Sequence, residues 1–278
     1  EHPNVILNPY EISPLTALII FDTDEEVSPK VTIKGKDELS TYTHTFEKSK
    51  KHYLPIYGLY PGYNNEVIIE CNGKTETIYI QTENLPSDFI LPTDVIANKE
   101  KLTNDLYFFT PSSSGYTCAY DVNGDVRWYL TTNALWEINR LENGHLLIST
   151  ERLINSPYYM TGLYEMDLLG KIYTEYSLEG GYHHDYFEME NGNLLIASDD
   201  FYNEEGTVED YIVELDRNTG KIVKTFDLKD ILNMEDGQSE NWSSYDWFHN
   251  NSVWYDEESN SITLSGRHQD AVINIDYN

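Results

Sequence analysis

The chain has 278 residues, enough for a sizeable core and for more than one domain. Lys and Arg number 18 against 48 Asp and Glu, a formal charge of −30, so nucleic acid and anionic membranes would be repelled over most of the surface. No apolar run of about 18 residues is present, which leaves no transmembrane helix, and the two cysteines, Cys71 and Cys118, have no CxxC spacing for a zinc or thioredoxin-like motif. The acidity reads as a solvated surface. An anionic substrate stays compatible with it if Arg267 and the histidines set the local field. No signal peptide is visible, and a start at Glu1-His2-Pro3 rather than Met reads as processed or trimmed.

Residues 1–90 read as β throughout and carry no repeat. Apolar alternation predicts strands at Leu15–Phe21, Lys30–Gly35, Lys51–Ile56, Glu66–Cys71 and Glu76–Gln81. The turn Gly58-Leu59-Tyr60-Pro61-Gly62-Tyr63 precedes the fourth of these. Short alternating strands with turns between them predict an immunoglobulin- or fibronectin-like β-sandwich. Its histidines, His2, His44 and His52, share no constellation with an acid or Arg, so packing or association is their expected role. Asn84–Asp88 is the expected linker, with Pro86 and Pro92 limiting pairing.

From about residue 100 a hairpin recurs: an apolar strand ending in Asp, a turn with Gly, and another apolar strand. It appears at Ala119–Val126, Tyr164–Ile172 and Val213–Ile222, and begins again at Val272–Asp276. The aspartates, Asp121, Asp167, Asp216 and Asp276, lie 46, 49 and 60 residues apart. A period of this size with four strands per unit predicts a β-propeller over residues 91–278. The sole helical candidate is a short stretch near Leu228–Met234. About three blades and the start of a fourth are readable, whereas propellers close with about four to eight. The expectation is a fragment of a longer protein, with six blades in full; closure by a second copy, a homodimer, is the alternative. Asp121-Val122-Asn123-Gly124-Asp125 has a faint calcium-loop look, but it lacks the later acidic ligand and reads as a tight hairpin.

The chemistry-bearing motifs fall on these hairpins. Asp246-Trp247-Phe248-His249-Asn250-Asn251-Ser252 opens one, with strands at Val253–Tyr255 and Ile262–Leu264 and a turn at Asp256–Asn260. Arg267, in Ser265-Gly266-Arg267-His268-Gln269-Asp270, closes it, so His249 and Arg267 share one end. The guanidinium fork suits a tetrahedral oxyanion, and imidazole can donate to that anion or move a proton near neutral pH. A second copy, Gly181-Tyr182-His183-His184-Asp185-Tyr186-Phe187, aligns His183 with His249 when Phe187 is set on Val253. A third, Ile138–Ile148, has no histidine at its start. Because neighbours on a strand point to opposite faces, His183 and His184 are not expected to reach one ion, and His183 is the one expected to face His249. Arg267 occupies the register of Asp199. His268 is expected to point the other way in a structural role. Tyr158 and Tyr159 are candidate walls of an aromatic pocket.

At these residues the chain resembles the bacterial arylsulfate sulfotransferases that do not use a nucleotide sulfate donor. The sandwich-plus-propeller layout, the His-His-Asp blade, Asp-Trp-Phe-His-Asn-Asn-Ser and Ser-Gly-Arg-His-Gln-Asp-Ala-Val carry the resemblance, which covers nearly the whole chain. It implies transfer of a sulfuryl group from a phenolic sulfate to a phenol, by a ping-pong route through a sulfated histidine, in a periplasmic or extracellular protein. The implied catalytic residues are His183, His249 and Arg267, with His184 and Asn251 binding sulfate; no metal and no cofactor are expected. The family's nucleophilic histidine and redox-linked cysteines fall downstream of the Arg motif, where no residue of this sequence matches them, so this chain alone is expected to be inactive. The rival readings are a non-catalytic propeller that binds partners, and a sulfate or phosphate ester hydrolase.

Overall fold

Strands dominate because β-branched and aromatic residues alternate with polar ones along most of the chain. The computed structural model describes residues 2–111 and 115–278; Glu1, on which the reading of a processed start rests, lies outside them. The chain divides into two compact units, Glu1–Ala134 with Met166–Lys171, and Leu135–Glu165 with Ile172–Asn278.

The first unit begins with β1 (Asn4–Leu7), β2 (Ala17–Val27), β3 (Lys30–Ile33), β4 (Tyr42–Thr45), β5 (Ser49–Ile56), β6 (Asn64–Cys71) and β7 (Lys74–Gln81). They form two antiparallel sheets, ordered β1-β2-β5 and β4-β3-β6-β7. The period of two is plain in the core: Ala17 and Ile19, Val31 and Ile33, Leu54 and Ile56, Val67 and Ile69 are all buried. This is an immunoglobulin-like sandwich. The strands that the alternation does not reveal, β1 and β4, are edge strands, and neither buries a residue fully.

The hairpin strands β8 (Tyr107–Phe109), β9 (Cys118–Tyr120) and β10 (Val126–Tyr129) form a further sheet in the order β10-β9-β8. Cys118, Val126 and Tyr129 join the sandwich residues in one apolar cluster. Both cysteines are free thiols. The turn between β9 and β10 is a hairpin turn: Asp121 Oδ1 accepts from the N–H groups of Asn123 (2.9 Å) and Asp125 (3.1 Å), and Gly124 takes a φ of 76°. The other oxygen of Asp121 lies 2.8 Å from Arg127 Nη1. Arg127 is wholly buried. It donates to the carbonyls of Gly58 (2.7 Å) and Ser40 (2.9 Å) and to Tyr60 Oη (3.0 Å), and stacks on the Tyr60 ring at 3.9 Å. One guanidinium thus ties the β9–β10 hairpin to the turns of the sandwich.

The second unit contains β11 (Asn139–Arg140), β12 (Leu146–Ser149), β13 (Leu153–Asn155), β14 (Tyr159–Met166), β15 (Ile172–Tyr182), β16 (Tyr186–Glu188), β17 (Leu194–Ser198), β18 (Tyr211–Asp216), β19 (Lys221–Asp227), β20 (Asn250–Asp256), β21 (Ser261–Gly266) and β22 (Ala271–Asp276). They make three antiparallel sheets: β11-β12-β14-β13 with β15 on β14, then β16-β17-β18-β19, then β20-β21-β22. β17 is buried on both faces. Leu194 and Ile196 pack into one apolar cluster and Leu195 and Ala197 into another, which also holds Val253, Ile262 and Leu264. The sheets therefore stack face to face with the middle one sandwiched. In place of a helix near Leu228–Met234 there is a single 3-10 turn, Leu228–Asp230, capped by the Asp227 side chain.

Glu165, on β14, joins neighbouring hairpins. It takes hydrogen bonds from Asn143 (2.7 Å), Tyr176 (2.7 Å) and Arg217 (3.2 Å) and lies 2.7 Å from His145 Nδ1. Burial alone would raise its carboxyl, but these donors bring it from 4.5 down to about 2.

Two outcomes follow. Replacing Arg127 with Leu leaves Asp121 buried without its counter-charge, and urea denaturation should show a loss of about 3–5 kcal/mol. For Glu165 the folded value lies below the unfolded one, so its contribution is present above about pH 4.5 and is lost as pH falls toward 2. Thermal melts of Glu165→Gln should lie below wild type at pH 7, and the gap should close over that window.

Candidate active site

The strand ends that converge at one end of the second unit carry a cluster of ionisable side chains. His183 and His184 follow β15, Glu209 precedes β18, Asp246 and His249 precede β20, and Arg267 follows β21. Three of these have left-handed backbone: His184 (φ 56°), Glu209 (φ 57°) and His249 (φ 55°); Trp136, which lies against His184, does too (φ 69°). Such values are uncommon for residues with a side chain and concentrate where function demands them. His184 is the centre of a three-residue turn closed by the Asp185 N–H on the His183 carbonyl (2.7 Å), a form that is rare with positive φ.

That turn overturns the expectation drawn from strand alternation. His183 and His184 do not point apart: their Nδ1 atoms are 3.0 Å apart, because positive φ at His184 breaks the alternation. With the alternation broken, His184 is the histidine whose ring lies against that of His249, at a centroid distance of 5.3 Å. His183 is fully buried, and its Nε2 lies 3.1 Å from the Ser198 carbonyl. His268 does not point away. Arg267–Gln269 is a 3-10 turn, so alternation does not apply there, and the His268 ring lies 4.4 Å from that of His249.

Around His249 the polar chain is continuous. Its Nδ1 is 2.7 Å from Asp246 Oδ2, and its Nε2 is 3.3 Å from Arg267 Nη1. The first contact places the ring proton on Nδ1, so Nε2 accepts from the guanidinium. His268 Nδ1 donates to the Asp246 carbonyl at 2.6 Å. Arg267 itself is exposed, and Asn251 lies partly buried on β20 two residues beyond His249.

Glu209 lies beside the imidazoles of His249 and His184. Its Oε1 accepts from Tyr158 (2.7 Å) and Tyr159 (3.0 Å), while its Oε2 lies 3.2 Å from His249 Nδ1 and 3.7 Å from His184 Nδ1. The Asn250 N–H donates to the Glu209 carbonyl (3.1 Å), joining the starts of β18 and β20. Tyr158 and Trp136 pack against His184 at centroid distances of 5.9 and 4.1 Å, forming an aromatic wall. Buried polar atoms without hydrogen-bond partners among the described residues gather here: Glu209 Oε2, Asp199 Oδ2, Asp246 Oδ1 and both side-chain polar atoms of Asn250.

Burial pushes His183 and His184 down to about 3, so both are neutral at neutral pH. Burial raises Asp185 to about 6, against hydrogen bonds from the Val253 and Tyr186 N–H groups. Burial, with the charges of Glu209, Asp210 and Asp246, raises Asp199 to about 8. Two triplets have metal-ligand spacing: His183, His184 and Glu209, and Asp246, His249 and His268. The sequence reading assigned no role to Glu209 or Asp246. The signal that would have found Glu209 was its place before a strand at the same end of the hairpins as His249.

Family models decide the kinship. The arylsulfotransferase (ASST) model matches residues 93–278, and that of the arylsulfotransferase Ig-like domain matches residues 4–85. The chain belongs to the arylsulfotransferase family. Arylsulfate sulfotransferase AssT of Lelliottia amnigena is 24% identical over 366 residues, covering 96% of this chain and 61% of its own length. AssT of Escherichia coli O6:H1 is 24% identical over 377 residues, with the same coverage, 96% and 61%. The chain thus spans about three fifths of these relatives. Among solved structures, an auxiliary nutrient binding protein from Bacteroides ovatus aligns over 95% of this chain and 64% of its own at 11% identity and a TM-score of 0.40, too slight a likeness to bear on fold or function.

The left-handed turn is testable by itself. His184→Gly and His184→Ala both remove the ring, but only glycine adopts positive φ freely. The glycine variant should be the more stable by about 1 kcal/mol in chemical denaturation; equal stabilities would mean that the turn is not kept.

Proposed function

We propose that this site takes part in the transfer of a sulfuryl group from a phenolic sulfate ester to a phenol. The observation that carries the reading is the chain Asp246–His249–Arg267, with steps of 2.7 and 3.3 Å. Asp246 holds the His249 proton on Nδ1, which leaves the Nε2 lone pair next to the guanidinium. Arg267 then grips sulfate oxygens with its fork and neutralises charge as the S–O bond to the leaving phenolate breaks. His249 Nε2 takes the proton from the acceptor phenol or returns it to the leaving oxygen. His184 and Asn251 contact the sulfate group. His183, with Nε2–H donated to a carbonyl, positions His184, a change from the catalytic role its sequence register suggested.

In a ping-pong route the first half-reaction breaks the ester S–O bond and makes an S–N bond to an imidazole; the second reverses this with the new phenol. On the family resemblance that imidazole belongs to a segment downstream of Arg267. The aromatic wall of Trp136 and Tyr158 suits the ring of a phenolic substrate. The proposal includes a sandwich domain over residues 1–90 without catalytic groups, a propeller domain over 91–278, no organic cofactor, and a location outside the cytoplasm.

Arg267→Lys keeps the charge and loses the fork. In the full-length protein it should lower transfer from a chromogenic phenyl sulfate by about 10²-fold, as for loss of an oxyanion donor. The check is a steady-state assay with a phenol acceptor, with folding measured separately by circular dichroism. Wild-type rates in Arg267→Lys would remove Arg267 from the site.

A further inference from the structure

One of the two ligand triplets brings two imidazole nitrogens and a buried carboxylate oxygen close together. His183 Nδ1 and His184 Nδ1 are 3.0 Å apart, Glu209 Oε2 is 3.7 Å from His184 Nδ1, and all three atoms lie within 4.8 Å of one another. Tetrahedral zinc, with bonds of about 2.0–2.2 Å, spaces its ligand atoms by roughly 3.3 Å. The two shorter separations lie within a few tenths of an ångström of that spacing; the third, His183 Nδ1 to Glu209 Oε2, is at most 4.8 Å and has to close further.

The surroundings favour the same occupant. The His183 Nε2–H donates to the Ser198 carbonyl, which puts the free lone pair on Nδ1, the tautomer and outer-shell contact usual for a metal-bound imidazole. Glu209 is fully buried, and its Oε2 accepts no hydrogen bond, its nearest imidazole nitrogens being His249 Nδ1 at 3.2 Å and His184 Nδ1 at 3.7 Å; its other oxygen is held by two phenols, which fixes the carboxylate with Oε2 facing the imidazoles. Asp199, Asp210 and Asp246 add carboxylates at the same end of the unit, and Lys229 is spent on Asp210 and Asp227. The second triplet is less suited. His249 Nδ1 and His268 Nδ1 are both engaged by Asp246, one at its Oδ2 and the other at its carbonyl.

We infer that His183 Nδ1, His184 Nδ1 and Glu209 Oε2 bind a divalent transition-metal cation of the zinc class, with the fourth position left to an exogenous donor. Two imidazoles and one carboxylate select for such ions over magnesium or calcium. The convergence depends on the left-handed turn at His184, and the inference does not rest on sulfuryl transfer.

The test is calorimetric titration of chelator-stripped protein with zinc chloride, with cobalt(II) as a spectroscopic probe. Wild type should take up one tight equivalent and give the visible d–d bands of a tetrahedral nitrogen–oxygen site. His184→Gln, at a partly exposed position that folding should tolerate, and Glu209→Gln should each weaken binding by at least about 100-fold, more than the loss of an outer-shell partner. His268→Gln should bind as wild type does. Absence of saturable binding in folded wild type would overturn the inference. So would binding that survives His184→Gln and is lost in His268→Gln, which would assign the ion to the other triplet.

Discussion

A carboxylate cannot stay buried without donors, and Glu209 is the carboxylate on which the candidate site hangs. Its partners come from separate pieces of chain: Tyr158 and Tyr159 at the start of β14, His184 after β15, His249 before β20. None of these is near another in sequence apart from the two tyrosines. Each is brought in by a strand end, and the positive φ values at His184, Glu209 and His249 are what turn the side chains toward one another. Backbone that would cost little with glycine is retained with bulky ionisable residues, which is the pattern expected where function sets the conformation.

In the first unit the corresponding constraint is Arg127. A wholly buried guanidinium requires acceptors, and at Nε and Nη1 they are the Gly58 and Ser40 carbonyls, Tyr60 Oη and the Asp121 carboxylate. The sandwich turns and the first hairpin are therefore not independent. The Asp-x-x-Gly turn that repeats along the chain as a simple reversal is, at Asp121, also the anion that makes burial of Arg127 tolerable.

Much of the fold was legible because buried alternation is a direct imprint of sheet geometry. It located β2, β3, β5, β6 and β7, and the hairpins from β9 onward. It could not locate β1 and β4, whose side chains are largely exposed and so carry no alternation. The clustering of His249 and Arg267 at one hairpin end was readable for the same reason. What was not readable was any departure from regular strand: the turn at His184, which exchanged it with His183 beside His249, and the 3-10 turn that brings His268 inward. Glu209 and Asp246 were obscured by composition. Among 48 acidic residues, one that is buried and paired looks like any other.

The company Arg267 keeps has a kinetic consequence. It is an exposed cation near Asp246, on a chain of net charge −30. An anion must cross a repulsive field before it meets the guanidinium. In dilute buffer that field reaches about 30 Å, and at physiological ionic strength about 8 Å. Salt would therefore hasten the arrival of a sulfate ester, the reverse of ordinary electrostatic steering, while a neutral phenol would arrive at a rate indifferent to salt. Ionic strength becomes a handle that separates the donor's encounter with the protein from the acceptor's.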